Sequence, residues 1–128
     1  MGRMQIGEVA ERTGLSLRTI RYYGEVGLVA PSGRTEGGFR LYTDGDVATL
    51  ELIKTMKPLG YTLDEMSEVL EVLGELDREA APGRRAELVE HLATIRASAA
   101  TRRDRLRKQL AAAESFIRRL DERAGEGR

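Results

Sequence analysis

Arginine and tyrosine side chains recur at helical spacing near the start of the chain, and their chemistry suits nucleic acids. Arg18, Arg21 and Tyr22 lie three and four residues apart, so a helix carries them on one face. Arginine forms bidentate hydrogen bonds with phosphate oxygens and with guanine edges. A merely solvated helix face is the alternative. Because a capped turn precedes these residues, the pattern favours contact with DNA.

A second set of such residues follows a glycine-containing loop at residues 33–38. Phe39 to Tyr42 alternate between two faces of a strand, which predicts a small β-hairpin with Phe39 and Leu41 inward. Arg40 and Tyr42 then lie on the opposite face. With Arg34, they are expected to contact phosphates from a basic hairpin wing, and a plain hairpin surface is the alternative.

Other chemistries find little support in the composition. The 128 residues contain no cysteine, so disulfides and thiolate ligands are excluded from this chain, and the single histidine, His91, cannot build a metal site alone. His91 is more simply a surface or dimer-interface residue. No nucleophile–base pair, phosphate loop or paired-carboxylate pocket stands out, so we expect no catalytic residue, metal, cofactor or enzyme activity.

Neither a long apolar run nor a signal peptide is present, which predicts a cytoplasmic protein without a membrane partner. The net charge is zero, but its distribution is uneven. Residues 1–62 contain eight Lys and Arg against seven Asp and Glu, residues 63–82 one against seven, and residues 83–128 twelve against seven. The acidic run at 64–79 and the basic cluster at 102–108 are interpreted as solvated helix faces.

Two short helices are expected to position the first set of residues. Residues 6–12 have helical apolar spacing, and Thr13-Gly14 is a natural stop because glycine accepts the left-handed conformation. Ser16 is a suitable N-cap for a second helix, Leu17 to Val26. Two short helices across a short turn are typical of a helix-turn-helix.

The remaining elements follow from capping and breaking residues. Thr43 with Asp46 loosely resembles a capping box for a helix that Pro58 ends, and Thr62 with Glu65 is a better one. Gly74 and then Pro82-Gly83 are expected to interrupt the helical pattern.

A helix free of proline and glycine is expected from Arg84 to about Ala124. Its apolar stripe proceeds by steps of three and four and needs a partner, for which an identical helix is the simplest choice. The expected dimer interface consists of Leu88, Leu92, Ile95, Ala99, Leu106, Leu110, Ala113, Ile117 and Leu120. Two consecutive steps of four, from Arg102 to Leu106 to Leu110, displace the seam as a stutter does.

Six motifs in this order resemble the head of the MerR family over roughly residues 4–73. They are Ile6-Gly7-Glu8-Val9-Ala10, Thr13-Gly14-Leu15-Ser16, Arg18-Thr19-Ile20-Arg21-Tyr22-Tyr23, Gly27-Leu28-Val29-Ala30-Pro31, Gly37-Gly38-Phe39-Arg40-Leu41-Tyr42 and Leu59-Gly60-Tyr61-Thr62-Leu63-Asp64-Glu65. The family usually has an acidic residue directly after the paired tyrosines. Here Gly24 precedes Glu25, which is expected to loosen the end of the second helix.

The resemblance implies a homodimer with an antiparallel coiled coil whose heads bind half-sites of a pseudo-palindromic promoter operator. It implies double-stranded DNA and RNA polymerase as partners, and regulation by distortion of promoter DNA. The candidate DNA contacts are Ser16, Arg18, Thr19, Arg21, Tyr22, Tyr23, Arg34, Arg40, Tyr42 and Tyr61. For Tyr23 and Tyr61, packing is the alternative role.

The expected fold is mainly α: a winged helix-turn-helix head with a small β-hairpin wing, followed by a long C-terminal dimerisation helix. The expected bounds are 1–76 for the DNA-binding domain with its helix-turn-helix at about 6–25, 77–83 for a linker, 84–124 for the coiled-coil helix and 125–128 for a tail. Family members that sense metals or drugs use cysteines or a further domain after the dimer helix, for which four residues leave no room. The effector therefore stays unknown, and the alternatives are a coiled-coil protein-interaction module or an effector-independent DNA architectural protein.

Overall fold

A computed structural model describes residues 3–126, which form six helical elements and three short strands. In chain order they are β1 (Met4–Gln5), α1 (Ile6–Thr13), α2 (Leu17–Glu25), β2 (Gly33–Arg34), β3 (Arg40–Tyr42), α3 (Asp44–Met56), a 3₁₀ turn (Lys57–Leu59), α4 (Leu63–Asp77) and α5 (Pro82–Glu126). The chain divides into two compact units, residues 1–79 and residues 80–128. The mainly α fold with a hairpin wing and a long last helix is thus confirmed.

The turn between α1 and α2 is fixed by hydrogen bonds of Thr13 and Gly14. Gly14 has φ 74°, and its N–H donates to the Ala10 carbonyl at 2.8 Å, which closes α1 as predicted. The Thr13 side chain is buried; its hydroxyl donates to the Val9 carbonyl at 2.8 Å and accepts from the Leu15 N–H at 3.2 Å. These bonds determine where α2 begins relative to α1.

Both predicted capping boxes are confirmed, and the first also holds the hairpin. The Asp46 carboxylate accepts from the Thr43 N–H at 2.9 Å, and the Asp46 N–H donates to the Thr43 hydroxyl at 3.2 Å. The same carboxylate accepts from the Ser32 hydroxyl at 2.6 Å, just before β2. At α4, Thr62 and Glu65 form the second box, with bonds of 2.9 and 3.2 Å.

The three strands form one antiparallel sheet with β3 in the middle. The predicted hairpin of β2 and β3 is present, whereas the pairing of β1 with β3, Met4 opposite Tyr42, was not foreseen. A two-residue strand leaves no periodic pattern to detect. β3 packs against α1 and α3. The fully buried side chains of this unit are Val9, Thr13, Ile20, Tyr42, Leu50 and Ile53.

The predicted inward and outward faces of β3 are wrong. Tyr42, expected on the outer face, has no exposed surface, whereas Phe39, expected in the core, is 63% exposed. Phe39 precedes β3 and belongs to the hairpin loop. Along β3, Arg40 and Leu41 are both partly exposed and only Tyr42 is buried, so the alternation of a strand does not by itself decide which of these side chains meet the core.

Two helix boundaries also differ from expectation. α4 continues through Gly74 to Asp77, since one glycine costs a helix only about 1 kcal/mol relative to alanine. α5 begins at Pro82 instead of Arg84, because proline is tolerated in the first helical turn, where its missing N–H has no helical partner. Residues 125 and 126 of the expected tail belong to α5, and residues 127 and 128 lie outside the described residues. None of the helices described between residues 3 and 126 has the length and hydropathy needed to cross a membrane.

Replacing Asp46 by alanine should lower the free energy of unfolding by about 1–2 kcal/mol, since it removes the capping box and the bond from Ser32. Asp44→Ala is the matched control: it also removes a carboxylate from the first turn of α3, but among residues 3–126 that carboxylate makes only an exposed ion pair with Arg12. Urea denaturation followed by circular dichroism measures both. Equal losses in the two variants would contradict the role given to Asp46.

Candidate nucleic-acid interface

Five of the ten residues predicted to contact DNA are exposed or partly exposed in α2 or at its N-cap: Ser16, Arg18, Thr19, Arg21 and Tyr22. Ser16 caps the helix by accepting the Thr19 N–H at 3.0 Å, as predicted, and its hydroxyl donates to the Thr19 hydroxyl at 2.8 Å. Arg18, Arg21 and Tyr22 are exposed, and within residues 3–126 neither arginine makes an ion pair or a side-chain hydrogen bond. The first turn of α2 contains no acidic residue. Two uncompensated guanidinium groups beside a helix N-terminus give this face a positive potential.

Tyr23 is a core residue. Its side chain is buried, and its carbonyl accepts the N–H groups of Leu28 and Val29 at 2.9 and 3.1 Å, which closes the end of α2. The centroids of the Tyr22 and Tyr23 rings lie 5.9 Å apart, so the buried Tyr23 ring packs against the exposed Tyr22 ring. Of the two roles considered for Tyr23, the structure supports packing.

Two arginines lie opposite each other on the hairpin wing. Arg34 in β2 pairs with Arg40 in β3, so their side chains lie on the same face. The Arg34 guanidinium donates to the Gly38 carbonyl at 3.1 Å, where Gly38 has φ 84° in the hairpin loop. Like charges directly opposite each other on a sheet are destabilising. An anion bound to this face would relieve that repulsion.

Arg40 is only partly available for such an anion. Its Nη1 atom is buried and has no hydrogen-bond partner among residues 3–126. A Cβ atom at Gly24 would lie 3.7 Å from this Nη1, so Arg40 lies against the last turn of α2. Gly24 does not end the helix early, since α2 extends to Glu25. The guanidinium therefore joins the wing to α2 while the residue as a whole stays partly exposed.

Tyr42 does not belong to the interface, which corrects the prediction for the wing. Its ring is wholly buried beneath the sheet, and its hydroxyl has no hydrogen-bond partner within the described part of the chain. Tyr61, in contrast, lies at intermediate exposure in the loop before α4. Its position leaves both contact and packing open as roles.

A cavity of about 310 Å³ beside α2 includes two lysines that sequence reasoning passed over. It is lined by Leu15, Thr19, Tyr23, Lys54, Lys57 and Pro58. Lys54 donates to the Thr13 carbonyl and lies 3.6 Å from the Glu51 carboxylate, so its charge is partly compensated. Lys57 is exposed and adds positive charge beside Thr19. Only the tertiary structure brings these lysines, about forty residues away in sequence, next to α2.

The residues predicted to form a dimer interface lie along α5, a single helix of 45 residues. Leu88 is buried in the single chain, and Leu92, Ile95 and Ala99 are partly exposed. The exposed members of the stripe are Leu106, Leu110, Ala113, Ile117 and Leu120. Phe116, which the stripe did not include, is 62% exposed beside them. Its spacing of four residues from Leu120 was the available signal.

A short helix, a glycine turn, a capped second helix with an exposed basic face and a following hairpin together define a winged helix-turn-helix protein. Residues 4–73 match the model of the "MerR HTH family regulatory protein". Because this match covers more than half of the chain, the chain belongs to the MerR family of helix-turn-helix regulators, as its motifs indicated. The family's members found by comparison are transcription regulators.

The similarity extends beyond the head. "Heavy metal-dependent transcription regulator 2" of Rhizobium meliloti is 33% identical over 122 residues, which cover 95% of this chain and 75% of that protein. A MerR-family regulator from Bacillus cereus has a solved structure with a TM-score of 0.66 and 27% identity, covering 94% of this chain and 78% of the other. HiNmlR, "a MerR family regulator lacking the sensor domain, bound to promoter DNA", has a TM-score of 0.64 and 25% identity, covering 90% and 87%.

Replacing Tyr42 by phenylalanine should raise the free energy of unfolding by about 1 kcal/mol, because it removes a buried hydroxyl that has no hydrogen-bond partner among residues 3–126. Affinity for DNA should stay unchanged. Thermal unfolding and fluorescence-anisotropy titration with duplex DNA measure the two quantities. A variant with unchanged stability and weaker binding to DNA would return Tyr42 to the interface.

Proposed function

We propose that this MerR-family chain is a sequence-specific DNA-binding transcription regulator that places α2 in the major groove and its hairpin wing against phosphates. The observation that carries the proposal is a pair of arginines, Arg18 and Arg21, that lie on the exposed face of the capped second helix and make no ion pair within residues 3–126. The major groove admits an α-helix and presents a distinct hydrogen-bonding pattern for every base pair. Arg18 lies in the first turn of α2, the end that usually approaches the base edges.

The wing supports the same assignment by a different physical argument. Arg34 opposite Arg40 is unfavourable for the isolated head and favourable beside the DNA backbone, where phosphates compensate both charges. A protein-interaction module that does not bind DNA gives no reason for this pairing. Ser16 and Thr19 add hydroxyl groups at the N-terminus of α2 that suit phosphate oxygens.

The regulator acts as a homodimer on a pseudo-palindromic promoter operator in the cytoplasm. The exposed apolar residues of α5 support dimerisation, because a helix of about 67 Å cannot cover its own stripe. Two heads then bind two half-sites. Distortion of the promoter between them alters its use by RNA polymerase, with a deformation energy on the order of 1–6 kcal/mol offset by protein contacts.

The signal to which the regulator responds is not a metal held by thiolates from these 128 residues. The Rhizobium meliloti relative is described as heavy metal-dependent, but the present sequence contains no cysteine. HiNmlR is described as lacking a sensor domain and is nevertheless bound to promoter DNA. Binding of promoter DNA by a MerR-family regulator that lacks a sensor domain is consistent with DNA binding by the present chain.

Arg18→Ala should weaken binding to the preferred operator by about 1–3 kcal/mol and relax the preference at one position per half-site. Arg34→Gln is the contrasting variant: loss of a phosphate contact should weaken binding to all sequences alike and make the salt slope shallower by about one. Binding selection from randomised duplexes, with anisotropy titrations at several salt concentrations, measures both. The base-reading role of Arg18 is wrong if the wild-type and Arg18→Ala proteins select motifs of equal information at every position.

Lysine at both Leu110 and Ile117 should convert the dimer to monomers, because two charges enter the apolar stripe. Both side chains are more than half exposed in the single chain, so the head should keep its stability. Ala111→Lys, an exposed position outside the stripe, is the control and should leave the dimer intact. Sedimentation velocity measures the mass, and an unchanged dimer in the double variant would contradict the interface.

A further inference from the structure

The cavity of about 310 Å³ beside α2 combines apolar surface with positive charge. Three of its lining residues are apolar or aromatic, one carries a hydroxyl and two are lysines: Leu15, Tyr23, Pro58, Thr19, Lys54 and Lys57. The whole chain contains only three lysines, so two of the three meet at this cavity. All six residues belong to the first compact unit, and the cavity is therefore formed by a single head.

The backbone on both sides of the cavity is fixed by hydrogen bonds. On one side, the Ser16 hydroxyl accepts the Thr19 N–H at 3.0 Å and holds the first turn of α2. On the other side, the Gly60 N–H donates to the Lys57 carbonyl at 3.0 Å and closes the 3₁₀ turn that carries Lys57 and Pro58. Ligand sites in proteins are usually largely preformed clefts of at least about 300 Å³ with mostly apolar walls. The cavity has these properties.

The charges around the cavity favour an anion. Among residues 3–126, no carboxylate lines it. Lys54 is partly compensated, because its ammonium lies 3.6 Å from the Glu51 carboxylate and donates to the Thr13 carbonyl. The exposed Lys57 ammonium has no ion pair within the described part of the chain. One uncompensated positive charge therefore lies at the edge of an apolar cavity.

We propose that this cavity binds a small organic anion with a planar apolar body, an aromatic carboxylate, as a signal that weakens DNA binding. The proposal rests on the proposed function, since it couples the cavity to DNA. A cavity of about 150 Å³ is enough to hold benzene, so the larger cavity beside α2 has room for a ring with a carboxylate. The carboxylate accepts hydrogen bonds from the Lys57 ammonium and the Thr19 hydroxyl.

The apolar wall distinguishes this ligand from a bare phosphate or another inorganic anion. A ring packed against Leu15, Tyr23 and Pro58 is stabilised by removal of apolar surface from water. An inorganic anion gains nothing from these three side chains and loses hydration beside them. The cavity therefore fits an anion that carries its own apolar surface.

Binding of the anion and binding of DNA oppose each other at Thr19 and Lys57. Thr19 is expected to contact DNA, and Lys57 adds positive charge beside it. A carboxylate held between them engages the Thr19 hydroxyl and cancels the charge of Lys57. By thermodynamic linkage, the factor by which the anion weakens DNA binding equals the factor by which DNA weakens anion binding.

Titration of the full-length protein with sodium benzoate, followed by amide chemical shifts, tests the site without DNA. We expect saturable shifts at Leu15, Thr19 and Tyr23. Acetate has the charge without the ring, and benzyl alcohol has the ring without the charge, so each should bind about tenfold more weakly or worse. Equal binding of benzoate and benzyl alcohol overturns the choice of an anion. No saturable shift at these residues overturns the site.

Two lysine variants separate the cavity from general attraction of anions. Lys57→Gln should weaken benzoate binding by roughly tenfold, because a hydrogen bond from a charged donor is lost. Lys108→Gln, which removes the one lysine outside the cavity, should leave benzoate binding unchanged. Both side chains are exposed, so both variants should fold, and thermal unfolding checks this. Equal losses in the two variants overturn the role of Lys57.

Anisotropy titrations with a duplex recovered by the selection described above measure the coupling to DNA. Saturating sodium benzoate should weaken DNA binding more than sodium acetate at the same ionic strength, a comparison that removes the general effect of salt. Lys57→Gln should lose this difference, and Lys108→Gln should keep it. Equal DNA affinity in benzoate and acetate overturns the regulatory role. A protein that binds benzoate but no DNA overturns the proposed function and not the binding site.

Discussion

The turn between α1 and α2 is the constraint on which the rest of the head depends. A left-handed Gly14 ends α1, and the buried Thr13 bonds to both sides of the turn through its hydroxyl while its carbonyl accepts the Lys54 ammonium from α3. These few bonds tie three helices together at one point. The direction of α2 follows from them, and with it the direction of Arg18 and Arg21.

The hairpin wing combines features that destabilise the isolated chain with features that hold the hairpin in place. Arg34 and Arg40 repel each other across the hairpin, and the buried Nη1 of Arg40 has no hydrogen-bond partner in the described part of the chain. The Asp46 carboxylate fixes the start of the hairpin to α3, and β1 adds a third strand on the other side of β3. The fold therefore holds two like charges in place, and this arrangement suits a polyanionic ligand.

The apolar stripe of α5 needs a partner because the helix is long. The head residues bury their apolar side chains within one chain, whereas most of the α5 stripe remains exposed.

Many of the helix boundaries could be predicted from the sequence, because they depend on interactions between neighbouring residues. Ser16, Gly14 and the capping boxes at Thr43 and Thr62 act on backbone groups within four residues, so their helices were placed to within a few residues. The family motifs indicated the fold, and the exposed face of α2 followed from helical spacing.

The tertiary structure alone decided which aromatic residues are buried. A three-residue strand alternates between two faces, but its sequence does not say which face meets α1 and α3, so Tyr42 and Phe39 were assigned in reverse. The same holds for Tyr23, whose neighbour Tyr22 differs only in the direction of its side chain. The pairing of β1 with β3, and of Lys54 with Thr13, joins residues about forty positions apart. Such contacts depend on the packing of whole elements, which no local pattern records.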